Sequence, residues 1–79
     1  MDHKLAALLA EVFNLREADI MPELTKADVG NWDSLKQMDL VMTLEREYAV
    51  ALEISDIVRM TSVGAIVEVL RGKGVSLEN

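Results

Sequence analysis

Cysteine is absent from the chain, and histidine and proline occur once each among its 79 residues. Without cysteine there is no disulfide framework and no thiol nucleophile belonging to the chain itself. The single histidine, His3, leaves a zinc site almost without ligands and any reactive serine without a general base. No Gly-x-Ser-x-Gly elbow is present, which argues further against a hydrolase. The stretch from Asp28 to Asp39 lacks the alternating oxygen ligands of an EF-hand loop, so no metal is expected. Aromatic residues make up only 4% of the sequence, so the core has to be aliphatic. Basic residues are scarce too: 8 Lys and Arg stand against 14 Asp and Glu, for a formal net charge of −6. A surface of that sign repels phosphate backbones and anionic bilayers; it argues against nucleic-acid and membrane partners and favours basic protein surfaces. No apolar run is long enough to span a bilayer, and the opening MDHKLAALLAEVF, broken by Glu11, carries no cleavage pattern. The composition predicts a soluble, cytoplasmic, monomeric protein.

What the sequence has is apolar content, 51%, set at helical spacing. Leu5, Leu8, Leu9, Val12 and Phe13 mark one face of a first helix, with Asp2 as N-cap and Asn14 as its stop. A long polar connection follows, from about Leu15 to Trp32, holding the only proline, Pro22. Connections of that length in small domains are functional or packed, and Leu15, Ile20, Met21, Leu24 and Val29 predict that this one is pinned to the core. A second helix runs from Ser34 to about Tyr48, capped by Asp33. A short third helix is expected within Ser55–Met60. A last helix begins after Thr61 or Ser62, places Val63, Ile66, Val67 and Leu70 on one face, and ends at Gly72 as C′ residue, with Gly74 beyond. The tail VSLEN reads as frayed. The expected fold class is all-α: a single domain, 1–79, forming a small four-helix bundle of three main helices and one short third helix, with a long loop between helices one and two.

The second helix carries two apolar stripes where a surface helix needs one. Leu40, Val41, Leu44 and Tyr48 form the expected core face, while Lys36, Asp39, Thr43, Arg46 and Glu47 lie on the solvated side. Leu35, Met38 and Met42 occupy a separate sector, bordered by Glu45, with Ser34 at its N-terminal end. Such a stripe either packs under the loop and the short helix or forms a docking surface, and methionine suits a surface that accepts several partners. Asp-Ser-Leu at a helix start is ordinarily only a cap. Here Asp33 takes that role, so the Ser34 hydroxyl is redundant as a cap and stands beside free backbone N–H groups at the positive end of the helix dipole. A covalently attached phosphate is favoured at such a position.

Asp33-Ser34-Leu35, followed by Asp39-Leu40-Val41-Met42, Leu44-Glu45 and Glu47-Tyr48, resembles the second helix of acyl carrier proteins. Ile54-Ser55-Asp56-Ile57 and Thr61-Ser62-Val63 resemble the short third helix of that family and the start of its last one. The first helix and the loop match in length and pattern. The resemblance implies a 4′-phosphopantetheine arm, derived from coenzyme A and placed on Ser34 by a phosphopantetheinyl transferase that recognises Asp33. It also implies acyl groups held as thioesters on the arm, and acyl-loading and acyl-processing enzymes of fatty-acid, polyketide or related biosynthesis as partners. The partner-facing residues would be Leu35, Met38, Asp39, Met42, Glu45 and Asp56, within an acidic face that includes Glu47 and Glu53. The chain departs from the family in having Asn31 where glycine is common, and Lys36 where fatty-acid carriers commonly place an acid. Trp32 resembles discrete carriers of specialised pathways. A carrier performs no catalysis. The competing reading is a helical interaction module without prosthetic group, in which Ser34 is only a helix-start or phosphorylated residue. The residues Leu5, Leu9, Val12, Leu40, Val41, Leu44, Ile57, Val63, Ile66 and Leu70 describe an ordinary aliphatic core, whereas the resemblance implies that an attached acyl chain can fold between the helices.

Overall fold

In a computed structural model that describes residues 1–78, four helices surround one hydrophobic core. Helix α1 spans His3–Phe13, a single 3-10 turn covers Glu17–Asp19, and α2 spans Ser34–Tyr48. The short α3 covers Ile54–Arg59 and α4 covers Val63–Gly72. Among the described residues there is no strand, only an isolated bridge between Thr25 and Ser62. No helix among them is long and apolar enough to cross a membrane.

Local chemistry sets the helix ends. The Asp2 carboxylate accepts the Leu5 amide at 2.9 Å and starts α1, satisfying one of the orphan donors of a first turn. Asn14 stops α1 in the left-handed conformation at φ 57°. The Phe13 carbonyl at that end receives the Asn31 side-chain amide at 3.2 Å. Asn31 therefore stands in the family's glycine position as a hydrogen-bond donor; among the described residues the only non-glycine positive-φ positions are Asn14 and Ala49.

The long loop is a structural layer. Ile20, Val29 and Trp32 are buried in the core, with Leu15 and Leu24 packed partly against it. Met21, expected inside, is exposed. The loop also completes α4: the amides of Val63 and Gly64 donate to the carbonyls of Leu24 and Pro22 at 2.9 and 3.0 Å. The Ser62 hydroxyl accepts Ala65 N–H at 3.0 Å. Two of the first-turn donors of α4 are thus satisfied by chain that lies far away in sequence, and the third by its own cap.

Several expectations need correction. Thr43 is buried rather than solvated, and Gln37, to which the sequence pattern assigned no face, is buried too. Helix α2 has α1 on one flank and α3 on the other, so its buried arc is wider than one stripe. On α4 the fully inward residues are Val63, Ile66, Val69 and Leu70, while Val67 is half-buried. Gly72 is the last helical residue, and the positive-φ glycine is Gly74, at φ 90°. The tail is fastened rather than frayed: Val75 N–H reaches the Leu70 carbonyl at 3.0 Å, and Glu78 N–H reaches the second oxygen of Asp2 at 3.1 Å. Asn79, included in the expected frayed tail, lies outside the described residues.

Asp56 is the largest departure. Expected to face partners, it is only 6% exposed and is the one fully buried residue of α3. Its carboxylate receives Lys73 Nζ at 2.8 Å, the Glu53 amide at 2.9 Å and Arg59 Nη2 at 2.9 Å. A buried carboxylate needs such partners; Glu53 and Arg59 belong to α3 and its cap, and Lys73 ties α3 to the end of α4. The hydrogen bond from Lys73, then those from the Glu53 amide and Arg59, outweigh desolvation and lower the Asp56 pKa to about 2.

Two outcomes are expected. Ala49 ends α2 at φ 53°, a conformation that glycine tolerates better, so Ala49→Gly should raise stability by about 1 kcal/mol in urea unfolding. Because the Asp56 pKa is lowered on folding, its contribution is fully present above the ordinary carboxylate range and is lost as pH falls from about 4 to about 2. Asp56→Asn should therefore be less stable than the wild type at neutral pH, with the difference shrinking over that interval. A constant difference in melting temperature down to pH 2 would show that the ion cluster does not hold α3.

Candidate functional site

The start of α2 divides two tasks between adjacent residues. Asp33 is extended, at φ −100° and ψ −172°, and its carboxylate accepts the Lys36 amide at 2.9 Å. Its carbonyl takes the Gln37 amide at 2.8 Å. With the cap made by Asp33, Ser34 is the first helical residue, exposed and without a side-chain hydrogen bond among the described residues. The amides of Ser34 and Leu35 likewise have no acceptor among them. The first turn contains no acidic residue, and the only nearby charge pairing is a loose one, Lys36 Nζ to Asp39 Oδ2 at 3.9 Å. The Asp33 carboxylate takes up the Lys36 amide, and among the described residues the Ser34 and Leu35 amides are left open at the positive end of the helix beside a free hydroxyl.

A phosphodiester-linked group fits this chemistry. The hydroxyl is accessible and uncommitted, neighbouring amides can face an anion, and no carboxylate of the first turn opposes it.

The second stripe is on the surface. Leu35, Met38 and Met42 are 81%, 51% and 61% exposed, which disposes of the idea that they pack under the loop or α3. With Asn31, Asp33, Lys36 and Asp39 they line an open groove of about 510 Å³ that begins beside Ser34. Asp39 lines it. Glu45 does not: it is half-buried, and its carboxylate accepts the Leu52 amide at 2.9 Å, closing the turn after α2. Asp56 is withdrawn into the junction of α3 with α4.

Ile54, Val58 and Gln37 were given no site role from the sequence, and Trp32 was read only as a mark of discrete carriers. Ile54 and Val58 are 81% and 68% exposed on α3; their i, i+4 spacing, set against the inward Ile57, was the available signal. Trp32 and Gln37 are buried and joined by a 2.6 Å hydrogen bond from the indole N–H to the amide oxygen. A tryptophan in an aperiodic loop and a glutamine in a helix give no pattern from which that pairing can be read.

The comparisons agree with the geometry. The family described as phosphopantetheine attachment site matches residues 3–70. The acyl carrier protein of Thermotoga maritima is 30% identical over 70 residues, spanning 89% of this chain and 86% of that protein. The solution structure of holo acyl carrier protein from Geobacter metallireducens superposes with a TM-score of 0.79, covering 89% of this chain and 80% of that one at 24% identity; it supports the helical fold. A match over nearly all of α1 to α4, including the Asp33-Ser34 helix start, places this chain in the acyl carrier protein family, whose prosthetic group is 4′-phosphopantetheine.

Proposed function

We propose that Ser34 is the attachment residue for 4′-phosphopantetheine, and that the chain is a non-catalytic carrier for acyl intermediates of fatty-acid, polyketide or related biosynthesis. The observation that carries this reading is the free Ser34 hydroxyl, left exposed because Asp33 caps α2 in its place. In the attachment step the Ser34 oxygen attacks the pyrophosphate of coenzyme A, forming a phosphodiester. The bond to the adenosine bisphosphate half breaks, and that half leaves. The hydroxyl proton goes to a base supplied by the transferase, since among the described residues no side chain is hydrogen-bonded to the Ser34 hydroxyl. When bound, the arm supplies a terminal thiol that holds acyl groups as thioesters.

The chain's own residues have three roles in this reading. Asp33 fixes the helix start and the direction of the serine. The amides of Ser34 and Leu35 and the helix dipole favour the phosphodiester anion. Leu35, Met38 and Met42, with Asp39 beside them, offer an adaptable surface to the transferase and to acyl-loading and acyl-processing enzymes. Glu45 and Asp56 are left out of that surface, because both carboxylates are occupied inside the molecule. Ile54 and Val58 extend the apolar contact area onto α3.

Incubation with coenzyme A and a broad-specificity transferase should add the mass of one phosphopantetheine to the wild type and nothing to Ser34→Ala. The variant should keep its stability to within about 0.5 kcal/mol, as an exposed substitution does. An unmodified wild type, or a modified Ser34→Ala, would refute the attachment. Met42→Glu should also change stability by no more than about 0.5 kcal/mol, because the side chain is already in solvent. Its loading by the transferase should slow, read as a lower kcat/KM. Unimpaired loading would move the docking surface elsewhere.

A further inference from the structure

Gln37 lies one turn along α2 from Ser34, on the side of the helix that faces the interior. Its amide is fully used. The oxygen accepts the Trp32 indole N–H at 2.6 Å. The nitrogen donates to the carbonyls of Ile57 and Met60, at 3.0 and 3.3 Å, where α3 ends. Trp32 is 4% exposed, and its ring sits 4.4 Å from that of Phe13, tilted by 35°. The seam between α2 and α3 beneath the serine is therefore filled by a buried polar bridge backed by an aromatic pair. The open groove beside Ser34 lies on the other side of α2, along Leu35, Met38 and Met42.

We infer that Gln37 and Trp32 are specificity-determining residues that close the α2–α3 seam to an attached acyl chain, so that this carrier holds its cargo outside the bundle. The inference rests on attachment at Ser34. An alkyl chain entering beside Ser34 has to break the three hydrogen bonds of Gln37. It would leave the indole N–H and the Met60 carbonyl buried and unpaired, and the Ile57 carbonyl with only the Met60 amide, and hydrocarbon offers them no replacement. The cargo class that follows is short or polar acyl groups, which lose little by staying in water, rather than long saturated chains.

The test is a chain-length series. Wild type, Gln37→Ala and Trp32→Phe are loaded from acetyl-, butyryl-, hexanoyl- and octanoyl-coenzyme A, with loading checked by intact mass. Melting temperature is then measured for each, together with the emission of Trp32, the only tryptophan, where it is present. In the wild type, melting temperatures should stay within about 2 °C across the series, with unchanged emission. In Gln37→Ala the melting temperature should climb with length, by about 20 °C or more from acetyl to octanoyl if all the added methylenes are buried in a domain this small. Trp32→Phe, which keeps an aromatic ring but deletes the donor and the rest of the indole, should climb too and covers the case in which Gln37→Ala does not fold. A merely structural role would lower all forms of a variant equally and leave the slope flat. A climbing wild-type series overturns the inference while leaving attachment intact, and so does a flat series in every folded variant. Failure of the wild type to gain mass overturns the attachment, and this inference with it.

Discussion

The hydrogen bond from the Trp32 indole to Gln37 lies where three separate stretches of chain meet. On one side Trp32 stacks on Phe13 at the end of α1. On the other, Gln37 holds the last carbonyls of α3. Between them is the Asp33-Ser34 helix start. A buried side-chain amide is stabilising only when all its groups are paired, and this one is paired at both ends. The loop residue, the serine-bearing helix and the shortest helix are thereby fixed as one unit. Asn31, bonded to the Phe13 carbonyl, adds a second fastening on the same loop.

That fixed frame makes the division between Asp33 and Ser34 meaningful. A helix start needs one capping oxygen, and supplying it from the residue before the serine leaves the serine hydroxyl for chemistry. The contrast with α4 is instructive, because there the loop carbonyls of Leu24 and Pro22 and the Ser62 hydroxyl take up the first-turn donors. Both helices begin with a serine and a cap. One start is closed by tertiary contacts and the other is open. The same is true of the apolar surface: α2 buries a wide arc against α1 and α3 and still exposes a stripe beside the open start.

Helix α3 shows how a short element can be held mainly by polar contacts. It turns Ile54 and Val58 outward, and its one fully buried residue is a carboxylate. Asp56 with Lys73 and Arg59 fastens one side, and the Gln37 amide fastens the C-terminal end. Polar fastenings of this kind are directional, so they fix where α3 sits, whereas aliphatic packing alone would let it slide. The acids that a charge count assigns to the surface are accordingly divided: Asp39 remains available, and Glu45 and Asp56 are used internally.

The sequence by itself determined the four helices, their order and the cap-then-serine start of α2, because these depend on periodicity and on contacts within one turn. It also set Leu35, Met38 and Met42 apart as a second stripe, which follows from helical geometry, but that the stripe is exposed was decided by the tertiary structure. Residues in the loop were legible only as apolar; that Trp32 and Val29 are core and Met21 is not depends on where an aperiodic segment meets distant helices. Thr43, Gln37, Glu45 and Asp56 were misread or passed over for one reason. A polar side chain is placed by the partner it finds, and those partners, apart from neighbours within a turn, come from other elements: Lys73 for Asp56, Leu52 for Glu45, and Trp32 with the end of α3 for Gln37. Apolar pattern writes the helices, and only the tertiary structure decides which polar residues are left to face a partner.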